Sequence, residues 1–73
     1  MTNTNKLKAK IAERGLTMKE FAENINMSSA TFSQKISGKI KFYQEDIRKI
    51  DAELKLTSEE LREIFFDEKL GKA

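Results

Sequence analysis

Between Thr17 and Gly38 the chain reads TMKEFAENINMSSATFSQKISG, a stretch in which a helical apolar repeat starts, breaks and starts again. Thr17 is a good N-cap residue, and Glu20 stands where a capping box needs its carboxylate. Phe21, Ala22 and Ile25 then make one apolar stripe at helical spacing. The stripe stops at Asn26-Met27. Asn tolerates a left-handed backbone better than other residues with a side chain, so a sharp turn is expected there. Ser28 caps a second helix, whose buried face is read as Phe32 and Ile36. Gly38 ends it as a C-terminal cap.

The flanking sequence extends the same helical pattern. A first helix is expected from about Asn5 to Arg14, with Leu7 and Ile11 inward, stopped by Gly15, after which Leu16 turns back into the core. Residues 1–4 are polar and expected to be disordered. Lys39 to Phe42 reads as a connecting loop. A fourth helix follows from Gln44 to Leu54 on the stripe Ile47, Ile50, Leu54, with Tyr43 as a weak cap. Thr57 and Glu60 make a second capping box, opening a fifth helix that runs to about Phe66 with Leu61 and Phe65 inward and Ile64 beside them. Ile64, Phe65 and Phe66 are consecutive, and a helix cannot turn all three to one side. Phe66 therefore either folds over the fourth helix as a lid or is left for a partner or a second copy of the chain, with Leu70 beyond it. The expectation is an all-α, compact five-helix domain over residues 5–68, with its central motif at 17–38 and a short tail at 69–73.

Composition narrows the chemistry. Seventy-three residues make one small domain. There is no Cys and no His, which removes thiolate chemistry and the commonest general base and metal ligand. Glu59, Glu60 and Glu63 open a helix, where acidic side chains offset its positive end. No catalytic constellation can be assembled, so an enzyme, a cofactor and a metal are not expected. No signal core or membrane-length apolar run is present, and a cytoplasmic location is the default. The net charge is +2, unevenly spread: +5 over residues 1–41 and −3 over 42–73. That asymmetry suits a nucleic-acid-facing side and an opposite acidic side.

Two short helices joined by a tight turn form a helix-turn-helix, whose second helix can enter the DNA major groove. The stretch resembles the lambda-repressor-like, Xre/Cro family of such regulators. Ala22 in the first helix, Asn26 at the turn, Met27 as the apolar plug and Phe32 as core anchor carry the likeness. So does the run S-x-T-x-S-x-K-I-x-G-K from Ser29 to Lys39, which is similar to many phage members, and the likeness extends from about Leu7 to Phe66. The buried Arg–Glu pair common in that family aligns with Ile11 and Ile36, a matched apolar replacement of a kind often neutral or stabilising.

The resemblance implies a DNA-binding face. Ser29, Ala30, Ser33 and Gln34 would meet bases, with Thr31 and Lys35 on the flanks. Gln34 can bond an adenine, Ala30 can touch a thymine methyl, and the serines suit several bases. Thr17, Lys35, Lys39 and Lys41 would hold phosphates, with Lys6, Lys8 and Lys10 reaching the backbone from the first helix. Met18 departs from the family, which often places a phosphate-binding Gln there. An exposed Met suits a protein surface better than DNA.

Two readings follow. In the first, the chain is a Cro-like transcriptional regulator acting on operator DNA, as a homodimer, within the genetic switch of a temperate phage in a bacterial host. In the second, it is similar to the small modulator-of-repression (antirepressor) proteins of Gram-positive phages, and its main partner is the DNA-binding domain of the phage repressor. Met18, Phe66, Leu70 and the acidic second half would then carry the contact.

Overall fold

In the computed structural model, residues 2–66 are described, and over them the chain is all-α, with five helices. These are α1 (Thr4–Glu13), α2 (Met18–Asn24), α3 (Ser29–Ser37), α4 (Gln44–Leu54) and α5 (Ser58–Phe65). Leu70 lies outside the described residues. Each start has a local cause. Thr17 and Thr57 both complete capping boxes, their hydroxyl oxygens accepting from Glu20 N–H and Glu60 N–H at 3.1 Å while each glutamate accepts from the threonine N–H at 2.9 Å. Ser28 Oγ accepts from Thr31 N–H at 3.1 Å and opens α3.

The stops are local too. Asn26 adopts φ 59°, and the next N–H, of Met27, turns back to Ala22 O at 2.9 Å. Gly38 has φ 90°, a conformation only glycine adopts without strain. That turn lets Lys39 N–H and Ile40 N–H both reach Gln34 O.

One core joins all five helices: Leu7, Ile11, Phe21, Ala22, Ile25, Phe32, Ile50, Leu54, Ile64 and Phe65. A row of aromatic rings runs through it. Phe21 and Phe32 lie 5.5 Å apart, Phe32 and Phe42 6.3 Å, and Phe42 and Phe65 5.6 Å, the last two pairs edge to face. These separations and tilts are the favoured ones for aromatic pairs. The row ties α2 to α3, α3 to the loop before α4, and that loop to α5. Phe42, expected only to connect helices, is thus a half-buried link in the core.

The structure corrects the sequence reading at several places. Asn3 and Thr4 are ordered, not part of a loose end: Asn3 Oδ1 caps α1 by accepting from Lys6 N–H at 3.2 Å, and Asn3 N–H donates to Ile64 O at 2.6 Å. On α5 the buried pair is Ile64 and Phe65, with Leu61 half-buried at the edge. Lys55 ends α4 in the left-handed region at φ 52°, a role the sequence does not advertise for a lysine. Tyr43 gives α4 no side-chain cap. Instead Asp46 Oδ2 accepts the Tyr43 N–H at 2.9 Å, so the helix start is held from within.

Helices α1 and α5 are also joined by charge. Lys6 pairs with Glu63, and Lys10 pairs with Glu60 and, at 3.3 Å, Glu13. The glutamates raise both lysines above their ordinary range. Lys10, helped by the Thr57 N–H, holds the Glu60 carboxyl down at about 2, against an ordinary 4.5.

Two outcomes are expected. Phe32→Ala removes the ring shared by α2, α3 and the loop and should cost about 3–5 kcal/mol in denaturant unfolding; unchanged stability would show that the ring is not a core anchor. In acid, the unfolded chain protonates Glu60 before the folded chain does. The stability this pair supplies is therefore complete above about pH 4.5 and lost as pH falls toward 2. Melting curves of Glu60→Gln should show a flatter pH dependence across that window than the parent protein.

Candidate nucleic-acid interface

Helix α3 buries Phe32 and Lys35 and turns the opposite side outward. Ser29, Ala30, Ser33, Gln34 and Ser37 are all exposed and share that outer face. Ser37 Oγ is occupied, donating to Gln34 O at 3.0 Å. Ser29, Ser33 and the Gln34 amide make no side-chain hydrogen bond among the described residues, so their donors and acceptors are open to a ligand. Thr31 is half-buried, and its hydroxyl oxygen accepts from Ser28 Oγ–H at 2.9 Å. It serves the start of α3 more than the outer face.

Lys35 is not where the sequence placed it. Its side chain is only 7 % exposed. The ammonium donates to Asp46 Oδ2 at 2.7 Å and to Lys41 O at 3.1 Å, and stands 4.9 Å from the centre of the Tyr43 ring. Every one of those partners comes from residues 41–46. Burial alone would raise the Asp46 carboxyl, but the Lys35 ammonium and the Tyr43 N–H outweigh it and hold the group below the usual carboxylate range. Lys35 therefore locks the end of α3 to the start of α4 and is not available to a phosphate. The periodicity explains the miss. The residues three and four on from Phe32 flank it on opposite sides, and the core takes the Lys35 side, leaving Ile36 half-buried at the border of the outer face.

Lys6 and Lys10 are likewise engaged, by Glu63 and Glu60. Lys8, Lys19, Lys39 and Lys41 are exposed and in no ion pair among the described residues, and Lys8 and Lys19 stand beside Ser29 and Ser33 of the outer face. The Lys41 ammonium lies 5.8 Å from the centre of the same Tyr43 ring, and Tyr43 is 56 % exposed. Sequence reasoning noticed Tyr43 only as a poor cap. Thr17 is exposed, with its N–H and hydroxyl oxygen both used by the capping box, which leaves the hydroxyl proton as its spare donor.

Met18 is half-buried, not fully exposed, and packs on the core. With Phe32 and Ile36 it floors a hollow of about 230 Å³ whose rim is Lys8, Lys19, Ser29 and Ser33. Ile36 also lines a larger groove of about 560 Å³, together with Phe42, Phe65, Phe66 and the polar Thr4 and Lys41. Phe66 is 56 % exposed. Among the described residues no cluster of acidic side chains could hold a metal ion, and no helix is long and apolar enough to cross a membrane.

Fold and face together define a small all-α domain that presents a polar helix face edged with lysines. The chain belongs to a family described as a protein of unknown function (DUF739), which it matches over residues 2–68. No curated protein matches it.

The lock on α3 can be tested directly. Asp46→Asn strands the buried Lys35 charge, a change that in buried pairs costs up to roughly 3–5 kcal/mol. The double substitution Lys35→Met/Asp46→Leu should recover all but about 1 kcal/mol, the share owed to the lost cap at Tyr43. If urea unfolding found Asp46→Asn as stable as the parent, the ion pair would not be what holds the two helices.

Proposed function

We propose that the chain is a small phage-type transcriptional regulator that binds operator DNA with the outer face of α3, as one part of a repressor/antirepressor switch in a bacterial cell. The observation that carries this reading is the unbonded, co-facial set Ser29, Ala30, Ser33 and Gln34, on a helix locked from behind by Phe32 and Lys35. Its role is binding, not catalysis, and needs no cofactor. An α-helix fits the DNA major groove, where an amide can bond adenine through N6 and N7, a hydroxyl can bond several bases, and a methyl can pack on thymine. A fixed helix presents those groups without first being ordered, which favours affinity.

Phosphates would be met by Lys8, Lys19, Lys39 and Lys41 and by the Thr17 hydroxyl, a shorter set than the sequence suggests once Lys6, Lys10 and Lys35 are set aside. One domain should therefore bind weakly, and two copies on adjacent half-sites would bind better.

A second reading is favoured by that same shortage and by the apolar hollow at Met18. In it the chain modulates a repressor by binding its DNA-binding domain, and DNA contact is secondary. Titrating the purified chain into duplex from its own regulatory region, at low and at physiological salt, with and without the neighbouring repressor, separates the two. The first reading expects selective binding by the chain alone, with affinity falling as about −0.9 in log–log slope per phosphate contact, and selectivity lost in Gln34→Ala with Tm unchanged. Binding that Gln34→Ala leaves intact would refute the docking of α3. A change in the repressor's DNA binding, with none by the chain alone, would replace the first reading by the second.

A further inference from the structure

The hollow at Met18 has an apolar floor and a cationic rim. Met18 and Ile36, both half-buried, and the buried Phe32 make the floor. The polar residues that line it come from three helices: Lys8 of α1, Lys19 of α2, and Ser29 and Ser33 of α3. Both lysines are exposed and in no ion pair among the described residues, unlike Lys6, Lys10 and Lys35, and neither serine side chain is hydrogen-bonded there. Two ammoniums and two hydroxyls at one opening are donors for a carboxylate, and such charge-assisted bonds are roughly twice as strong as neutral ones. An apolar bed with a few polar groups that fix orientation is the usual make-up of a small-ligand site. Size narrows the ligand further. A cavity of about 150 Å³ takes up a benzene ring, and the hollow, about 230 Å³, has room for one ring or branched chain with its carboxylate. A protein partner needs far more, since stable protein–protein contacts bury about 1,200–2,000 Å² and the floor here is three side chains. A bare phosphate would use the ammoniums and leave the apolar floor wet.

We propose that this hollow binds a small organic carboxylate with one aromatic or branched apolar body. The body lies on Met18, Ile36 and Phe32, and the carboxylate accepts from the Lys8 and Lys19 ammoniums and from a hydroxyl of Ser29 or Ser33. The site stands independently of the DNA reading. Its consequence, that the bound acid and DNA exclude each other, rests on that reading, because both claim Lys8, Lys19, Ser29 and Ser33.

Backbone amide shifts of the full isotope-labelled chain, recorded without DNA at constant ionic strength, test the site with three probes at millimolar concentration: benzoate, benzyl alcohol and acetate. Benzoate should give a saturable shift centred on Met18, Lys19, Ser29 and Ser33. The neutral alcohol lacks the charge and acetate lacks the body, so each should bind about tenfold more weakly or worse. Lys19→Glu and Lys8→Gln, both at exposed positions and expected to keep the parent Tm, should weaken benzoate by a similar factor. No saturable shift from benzoate, or shifts centred elsewhere, overturns the proposal and leaves the two lysines to phosphates. Acetate binding as well as benzoate overturns it too, because the floor then contributes nothing. Benzyl alcohol doing so, or both variants binding benzoate like the parent, removes the lysines from the site with the same result. Every outcome is read with no DNA present, so failure here is distinct from failure of the DNA reading.

Discussion

The packing of Phe32 against Phe21 and Phe42 is the contact on which the arrangement depends. Helices of seven to eleven residues are too short to hold together in water without tertiary packing. Phe32 supplies that packing at the point where α2, α3 and the loop before α4 converge. Phe42 passes it on to Phe65 in α5. Once Phe32 is turned inward, helical geometry sends Ala30, Ser33 and Gln34 outward, and Ser29 joins them as the exposed first residue of the helix. The polar face of α3 is thus a direct consequence of where one ring is buried.

Charge completes what the rings begin. The basic first part of the chain and the acidic second part do not simply face opposite ways; much of the excess is cancelled inside the fold. Lys6 and Lys10 meet Glu63 and Glu60 across α1 and α5, and Lys35 meets Asp46 across α3 and α4. The part-buried pairs between α1 and α5 remain open enough to water to be weakened by salt. The Lys35–Asp46 pair differs because it is shielded from water, and it fixes how α3 ends. Lys8, Lys19, Lys39 and Lys41 keep their charge for whatever meets the outer face.

Features fixed by neighbouring residues were legible in the sequence. The two Thr–Glu capping boxes, the left-handed Asn26 and the Gly38 cap depend on the chain's own next few positions, and all are present. The count of five helices follows from them. Features fixed by the packing of distant segments were not legible. Periodicity places Phe32 inward but leaves open which side neighbour follows it, so Ile36 was expected where Lys35 is buried. Phe42 has no periodic context in its loop, and nothing nearby shows that it bridges Phe32 and Phe65. Asn3 gains its order from Ile64, far along the chain. For the outer face, the residue types at Ser29, Ala30, Ser33 and Gln34 could be read from the sequence. The loss of three lysines to internal pairs, and the hollow beneath Lys8 and Lys19, became visible only in three dimensions.

The measurement that bears most directly on the outer face of α3 is a map of backbone amide shifts in the isotope-labelled chain as duplex DNA from its own regulatory region is added. If α3 lies in the groove, the largest changes will fall at Ser29, Ala30, Ser33 and Gln34, with smaller ones at Lys8, Lys19, Lys39 and Lys41. Changes confined to α4 and α5, or none at a duplex concentration that saturates a specific site, would contradict the assignment of that face to DNA.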